Sequence, residues 1–253
     1  KMIEKIICKI SSDIIFINPE HRKEFIEKKF VKENNSHMIW KGSSNGIEIE
    51  KFKISKKKIR LNKKLIGIRD AEKVLIFAAR ISKDKGIDDF IYVATKLLTK
   101  KLIKHVIIVG KDEINNSPVE KFKSKFKSSI KIIGWTDKIE FYFSVSDILL
   151  LPSKREGFGN VFAQASASGC IPVGYDIIGV RTAVVNGKSG ILCQLNDREQ
   201  LLNACEKLIL NRNFAASMSS FGKTYVKKSF DQKKFRKKLL IFYEKKYNKL
   251  WNC

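Results

Sequence analysis

Six short apolar runs, each followed closely by a helical pattern, constrain this chain more than any other feature. VLIFAA (74–79), HVIIVG (105–110), IKIIGW (130–135), DILLLP (147–152), IPVGY (171–175) and GILC (190–193) are too short and too continuously apolar for half-exposed strands. They read as strands buried on both faces. Between them lie GIDDFIYVATKLLTK, SPVEKFKSKFK, DKIEFYFSVS and NVFAQASAS, which read as helices. Strand–helix alternation with short connections predicts an α/β fold: a doubly wound, mostly parallel, Rossmann-like sheet. After residue 197 the pattern is helical throughout, which adds a C-terminal helical extension whose last helix is capped by Asp231.

Within this frame, PSKREGFGNVFAQASASG (152–169) is the segment with chemistry. A strand runs into a turn holding Gly157 and Gly159, and the turn opens onto a helix of small residues. Open α/β sheets bind ligands at the carboxyl ends of their strands, where Arg155 and Glu156 stand. Glycines admit a ligand close to the backbone, and the helix start offers free N–H groups to an anion. Glu156 suits sugar hydroxyls or a local ion pair with Arg155. Gln164 suits a ribose diol or an ordinary helix position. The pattern points to an anionic, hydroxyl-rich ligand such as a nucleotide sugar. Arg80 and Lys85, in AARISKDKG after the first strand, suit a diphosphate clamp or a solvated loop. Three of the nine arginines (80, 155 and 181) fall in loops at this one edge. Trp135 after Gly134 suits packing on a base or a strand end, and Phe158 reads as an anchor for the turn.

Residues 1–70 read differently. A helix-like start, a strand at 13–17, a helix from Pro19 and a short strand at 37–40 precede a lysine-rich connector. This reads as the remnant of a preceding domain (1–45) and a linker (46–70), ahead of the ligand-binding domain (71–230) and a basic helix (231–253). Two strands cannot bury their own apolar faces, so the first 40 residues are expected to need a missing partner domain.

The formal charge of +25 is unevenly spread: residues 1–70 carry 18 Lys and Arg against 9 acids, 211–253 carry 12 against 2, and 151–210 carry 6 against 5. The excess lies away from the glycine turn. It suits solvated faces or attraction to an anionic membrane surface. No nucleic-acid-binding module appears, so nucleic acid is not an expected partner. Five cysteines (8, 170, 193, 205, 253) lack a Cys-x-x-Cys pair and three histidines are scattered, which argues against a metal site or a disulfide framework. No signal-peptide pattern is present, and no apolar run approaches the ~18–20 residues that span a bilayer. The expectation is a cytoplasmic protein, with peripheral attachment to the inner face of the cytoplasmic membrane as the alternative. Asp-x-Asp, GxxxxGK[ST] and GxGxxG are absent, and GFGN lacks a nucleophile-elbow Ser.

The ordered set NGIEIEKF, AARISKDKG, GW, DILLLPSKREGFGNVFAQASASGCIPVG and GVRTAVVNGKSGILC resembles the retaining family 4 glycosyltransferases of the GT-B fold, over about residues 13–250. The resemblance implies the nucleotide-sugar-binding C-terminal half, preceded by the end of the acceptor-binding N-terminal domain. It implies that Arg80 and Lys85 hold the donor diphosphate and that Glu156 binds the transferred sugar. The backbone of Gly157, Phe158, Gly159 and Asn160 would approach sugar and phosphate, with Val161 and Gly110 beside them. Residue 164 would meet the ribose, and Gly134–Trp135 would lie near the base. Transfer would retain the anomeric configuration without a metal or other cofactor. GSSNGIE is similar to the linker of members that build bacterial surface polysaccharides on lipid-linked acceptors. Where the family usually has Glu, this chain has Gln164, implying donor binding weaker by roughly 1–2 kcal/mol. Thr182 also stands where an acidic residue is common. Lacking most of its acceptor domain, the chain alone would transfer little or nothing. Two other readings remain at this level: an epimerase of the same fold, which needs a cleft His or further carboxylate not seen near these motifs, and a non-catalytic binding protein.

Overall fold

The sheet is built as the apolar runs dictate. The computed structural model describes residues 2–114 and 117–251. In chain order the elements are α1 (Met2–Ile10), β1 (Ile14–Phe16), α2 (Pro19–Glu27), β2 (Ser36–Met38), α3 (Ile49–Phe52), α4 (Lys56–Leu65), β3 (Val74–Ala78), α5 (Ile87–Thr99), β4 (His105–Val109) and α6 (Pro118–Phe126). They continue as β5 (Ile130–Gly134), α7 (Ile139–Val145), β6 (Ile148–Leu151), α8 (Asn160–Ser168), β7 (Ile171–Tyr175), α9 (Ile178–Arg181), β8 (Ile191–Cys193), α10 (Arg198–Leu210), α11 (Arg212–Phe230) and α12 (Gln232–Trp251).

Six strands form one parallel sheet in the order β5-β4-β3-β6-β7-β8. The first strand of the sheet therefore lies beside the fourth, and the connections turn in opposite directions from that point. Every residue of β3, β4, β6 and β7 is buried. Side chains on both faces of these strands pack under covering helices, which is why the runs show no alternation of apolar and polar residues. Helices cover both faces: α5 contacts α6 and α10, whereas α7 contacts α4 and α8, and α8 contacts α11. The α8–α11 contact is close because Gly222 faces Ser166 there.

The lysine-rich stretch read as a connector is helical over α4, started by the Ser55 hydroxyl, which accepts the Lys58 N–H. Its Asn62 is buried and donates to Ser144 of α7. α3 and α9, four residues each, are short helices that the sequence pattern does not announce.

The first segment forms a two-stranded parallel ribbon, β1 with β2, flanked by α2. It is held to the rest by α12, whose start is capped by Asp231 as expected. His37 of β2 packs on Phe242, and Asp13 takes bonds from both His37 and Lys246. Asp13 is held below the usual carboxylate range by the Lys246 bond, then by His37. Two stretches of chain run side by side between segment and sheet: the Ile47 N–H donates to the Phe230 carbonyl (2.6 Å), and the Gln232 N–H donates to the Ile47 carbonyl (2.9 Å). Gly46 allows this, since a Cβ there would lie 2.7 Å from the Gln232 Cα. On α1, Ile3, Ile6, Ile7 and Ile10 form an exposed apolar stripe at helical spacing.

Cys8, Cys170, Cys193 and Cys205 are buried and unpaired, and burial pushes the Cys193 thiol up to about 11. Cys253 lies outside the described residues. Among the described residues no helix is long and apolar enough to cross a membrane, and no cluster of His, Cys, Asp and Glu is suited to a metal ion.

Candidate functional site

The carboxyl ends of β3 and β6 meet where the strand order reverses, and this is where a doubly wound sheet opens a crevice. Beyond Ala78 the chain stays paired to its neighbour through Ala79 N–H to Val109 O and Ile81 N–H to Lys111 O. A single helical turn, 83–85, then ends at Gly86, whose φ is +74°. No side chain fits there, because a Cβ would lie 2.0 Å from the Pro152 carbonyl oxygen. The start of α5 thus butts against the end of β6, and Lys154 N–H donates to Asp84 O.

That contact delivers Lys85 to Glu156. Lys85 Nζ lies 2.9 Å from Glu156 Oε1 and 3.1 Å from the Arg155 carbonyl. Both side chains are largely shielded, at 15% and 17% exposure. The pairing choice left open by the sequence falls to Lys85 rather than to the adjacent Arg155. Ser153, wholly buried, shapes the turn by accepting the Arg155 N–H and donating to the Arg155 carbonyl. Gly179 packs on the other side, where a Cβ would lie 1.8 Å from the Glu156 carbonyl oxygen.

Lys85, Glu156, Gly157 and Arg80 line one cleft of ≈ 550 Å³, together with Asp84, Arg155, Glu4, Phe16, His21 and Phe25. Arg80 is turned outward onto Glu113 (2.7 Å), with Asp84 at 3.9 Å. Asp84 is held below the usual carboxylate range by the Ser82 hydroxyl first, then by Lys85 and Arg80. Arg181 is engaged by Asp176 and Glu20, which raise its pKa further.

The other candidate residues stand around this cleft rather than in its lining. Gly159, with φ +75°, starts α8 and leaves the first-turn N–H groups of Asn160 and Val161 without helical partners. The Asn160 side chain donates to Ser44 Oγ (2.9 Å). Phe158 is buried edge-on against Phe230, as an anchor should be. Gln164 is half-buried one turn into α8, and its side chain has no hydrogen-bond partner among the described residues. Trp135 is 78% exposed at the end of β5, two strands from β3 and hence about 10 Å along the sheet edge. Gly134 has φ +74° with open space beside it. Gly110 admits no side chain, since a Cβ would lie 1.7 Å from the Ala79 carbonyl oxygen. Thr182 accepts from Asn18 through Oγ1 and from the Tyr225 hydroxyl through its carbonyl.

Sequence reasoning missed the wall contributed by the first segment. His21 was not expected near these motifs, yet it lines the cleft more than 130 positions from Glu156. One signal was available: β1 runs into Asn18–Pro19 and a helix start, the same strand-to-helix turn used to locate the other loops.

A family model for group 1 glycosyl transferases matches residues 58–225. The chain is 29% identical over 232 residues to the capsular polysaccharide biosynthesis glycosyltransferase CapM of Staphylococcus aureus, covering 90% of this chain and 60% of that protein. It is 26% identical over 208 residues to the UDP-Gal:alpha-D-GlcNAc-diphosphoundecaprenol alpha-1,3-galactosyltransferase of Escherichia coli, covering 81% and 53%. The chain thus spans little more than half the length of these relatives. In fold it is similar to Anabaena Alr3699/HepE, solved in complex with UDP and glucose, at a TM-score of 0.82, 18% identity, and coverage of 96% of this chain and 66% of that one. The sheet is that of GT-B glycosyltransferases, as its motifs implied. With the family match spanning most of the described sheet, the chain belongs to the group 1 glycosyl transferases.

Proposed function

We propose that the protein supplies the donor half of an enzyme that transfers a sugar from a nucleotide sugar, with retention, to a lipid-linked or glycan acceptor in bacterial surface polysaccharide assembly. The observation that carries this reading is the shielded Lys85–Glu156 pair in a cleft at the strand-order reversal. A lone ion pair near a protein surface is worth about 4 kcal/mol of attraction at 4 Å. A diphosphate presents more than one negative charge, so it outcompetes a single carboxylate for Lys85. Glu156 is then free to accept hydrogen bonds from sugar hydroxyls. Arg80 swings from exposed Glu113 onto the phosphates, and the α8 start after Gly159 faces the charge that develops as the diphosphate departs. Gln164 takes the ribose, and Trp135 with Gly134 borders the base. No metal is needed in this scheme.

The same reading makes residues 1–45 the end of an acceptor-binding unit that a longer chain completes. The exposed isoleucine stripe on α1 supports this. The lysines of α4 and α12 suit an anionic membrane surface, where lipid-linked acceptors reside, at about 1 kcal/mol per well-placed lysine. His21 removes one argument against an epimerase, but the family match and the relatives named above favour transfer.

Calorimetric titration with UDP-glucose, UDP-galactose, UDP-N-acetylglucosamine and GDP-mannose tests the reading. Binding of at least one, lost in Lys85→Ala, is expected. A protein that binds none of the four would overturn it.

A further inference from the structure

Asn18 is wholly buried although it stands at a turn between β1 and α2. Its amide is used from both ends. Oδ1 accepts the N–H groups of Glu20 (2.8 Å) and His21 (3.3 Å), which caps α2. Nδ2 donates to the Ile178 carbonyl (2.9 Å) and to Thr182 Oγ1 (3.4 Å), some 160 positions along the chain. A Ser or Asp would serve the first purpose equally well. Only an amide of this reach serves both, because it offers an acceptor and two donors on one planar group.

The α9 turn that Asn18 grips is pressed against the cleft. Gly179 touches the Glu156 carbonyl so closely that a Cβ would lie 1.8 Å away. Ile17 closes the opposite side: its Cδ1 is 3.3 Å from the place where a Cβ on Gly157 would stand, and its carbonyl accepts the Ser43 N–H at 2.8 Å. The Glu20–Arg181–Asp176 chain ties the same two pieces with charge. We infer that Asn18 is a positioning residue for the donor cleft: it fixes the α9 turn, and through Gly179 and Ile17 it sets where Glu156 and Gly157 stand. The inference rests on the donor-site reading for its functional meaning, not for its structural content.

Asn18→Ser keeps the cap on α2 and loses both donations, whereas Asn18→Ala loses cap and donations together. Hydrogen exchange of the unliganded chain, read by mass spectrometry, separates the two. Asn18→Ser is expected to speed exchange about tenfold over 155–160 and 177–183 while leaving 20–25 at the wild-type rate. Asn18→Ala speeds all three. Wild-type exchange over 155–160 in Asn18→Ser overturns the inference. Should that variant fail to fold, Thr182→Val, which removes only the weaker acceptor, decides: a smaller increase over 177–183 supports the inference, and wild-type exchange there overturns it. With UDP-glucose as probe, Asn18→Ser is expected to bind about fivefold more weakly; faster exchange with unchanged affinity also overturns the positioning role. If the wild type binds no nucleotide sugar, the donor reading falls and the exchange rates alone decide the inference.

Discussion

Strands β3 and β6 are joined by a lysine–carboxylate pair at each end, and the pairs are built differently. At the amino end, Lys73 meets Asp147 Oδ1 at 2.7 Å, and Asp147 Oδ2 also accepts the Val74 backbone N–H at 2.9 Å. At the carboxyl end, Lys85 meets Glu156 at 2.9 Å, and among the described residues the Glu156 carboxylate has no backbone donor. Each pair borders a cleft, of ≈ 460 Å³ and ≈ 550 Å³ respectively. A carboxylate stitched to the backbone cannot leave without orphaning an amide, so the amino-end pair is a staple. A carboxylate held by one flexible lysine can exchange that partner for a ligand. The two clefts are alike in size and in the charges that border them, and they differ in how those charges are held.

The sharpest test of the carboxyl end is Gly179→Ala. Its Cβ must displace the Glu156 backbone, so a loss of about 3 kcal/mol in denaturant unfolding is expected, along with loss of nucleotide-sugar binding. At the amino end, Asp147→Ala strands the Val74 amide and is expected to cost about 2 kcal/mol while leaving binding by the folded fraction unchanged. If it abolished binding instead, the two ends would not be functionally distinct. Glu156→Gln, whose amide oxygen still accepts from Lys85, should invert that pattern: about 1 kcal/mol in stability, but roughly tenfold weaker UDP-sugar binding by calorimetry. Gln164→Glu is expected to tighten donor binding by up to about tenfold, and equal affinity would remove Gln164 from the ribose site.

The amino end also carries an acid-sensitive contact. The Arg69 backbone N–H, then His105, then the Arg69 guanidinium hold Glu72 down at about 2, against an ordinary value of 4.5. Its folded pKa is depressed, so this stabilisation is full above pH 4.5 and is lost as pH falls through about 2. The difference in urea midpoint between wild type and Glu72→Gln should be larger at pH 5 than at pH 2.5.

Much of this was legible in the residues. Buried parallel strands announce themselves as continuous apolar runs, and Gly86, Gly157 and Gly159 mark turns where backbone must pass close or adopt positive φ. Arg80, Lys85 and Glu156 were legible because strand ends of an α/β sheet share one edge. What stayed hidden depends on contacts between distant parts of the chain. Nothing local to His21 or Phe25 tells that α2 will face Glu156, and nothing local to Asn18 tells that its amide will reach the α9 turn. The lysine-rich stretch at 56–65 concealed a helix because its packing rests on one buried residue, Asn62, rather than on an apolar stripe.

The paired run of chain at Ile47 and Phe230–Gln232 has a mechanical consequence. Two strands that hydrogen-bond to each other resist twisting apart but bend together about the line between them. The bridge and the Lys246–Asp13 pair thus tie the first segment to α12 near both ends of that helix. Because Phe16, His21 and Phe25 belong to that segment, this wall of the cleft is carried by a part of the chain that the six-stranded sheet does not include.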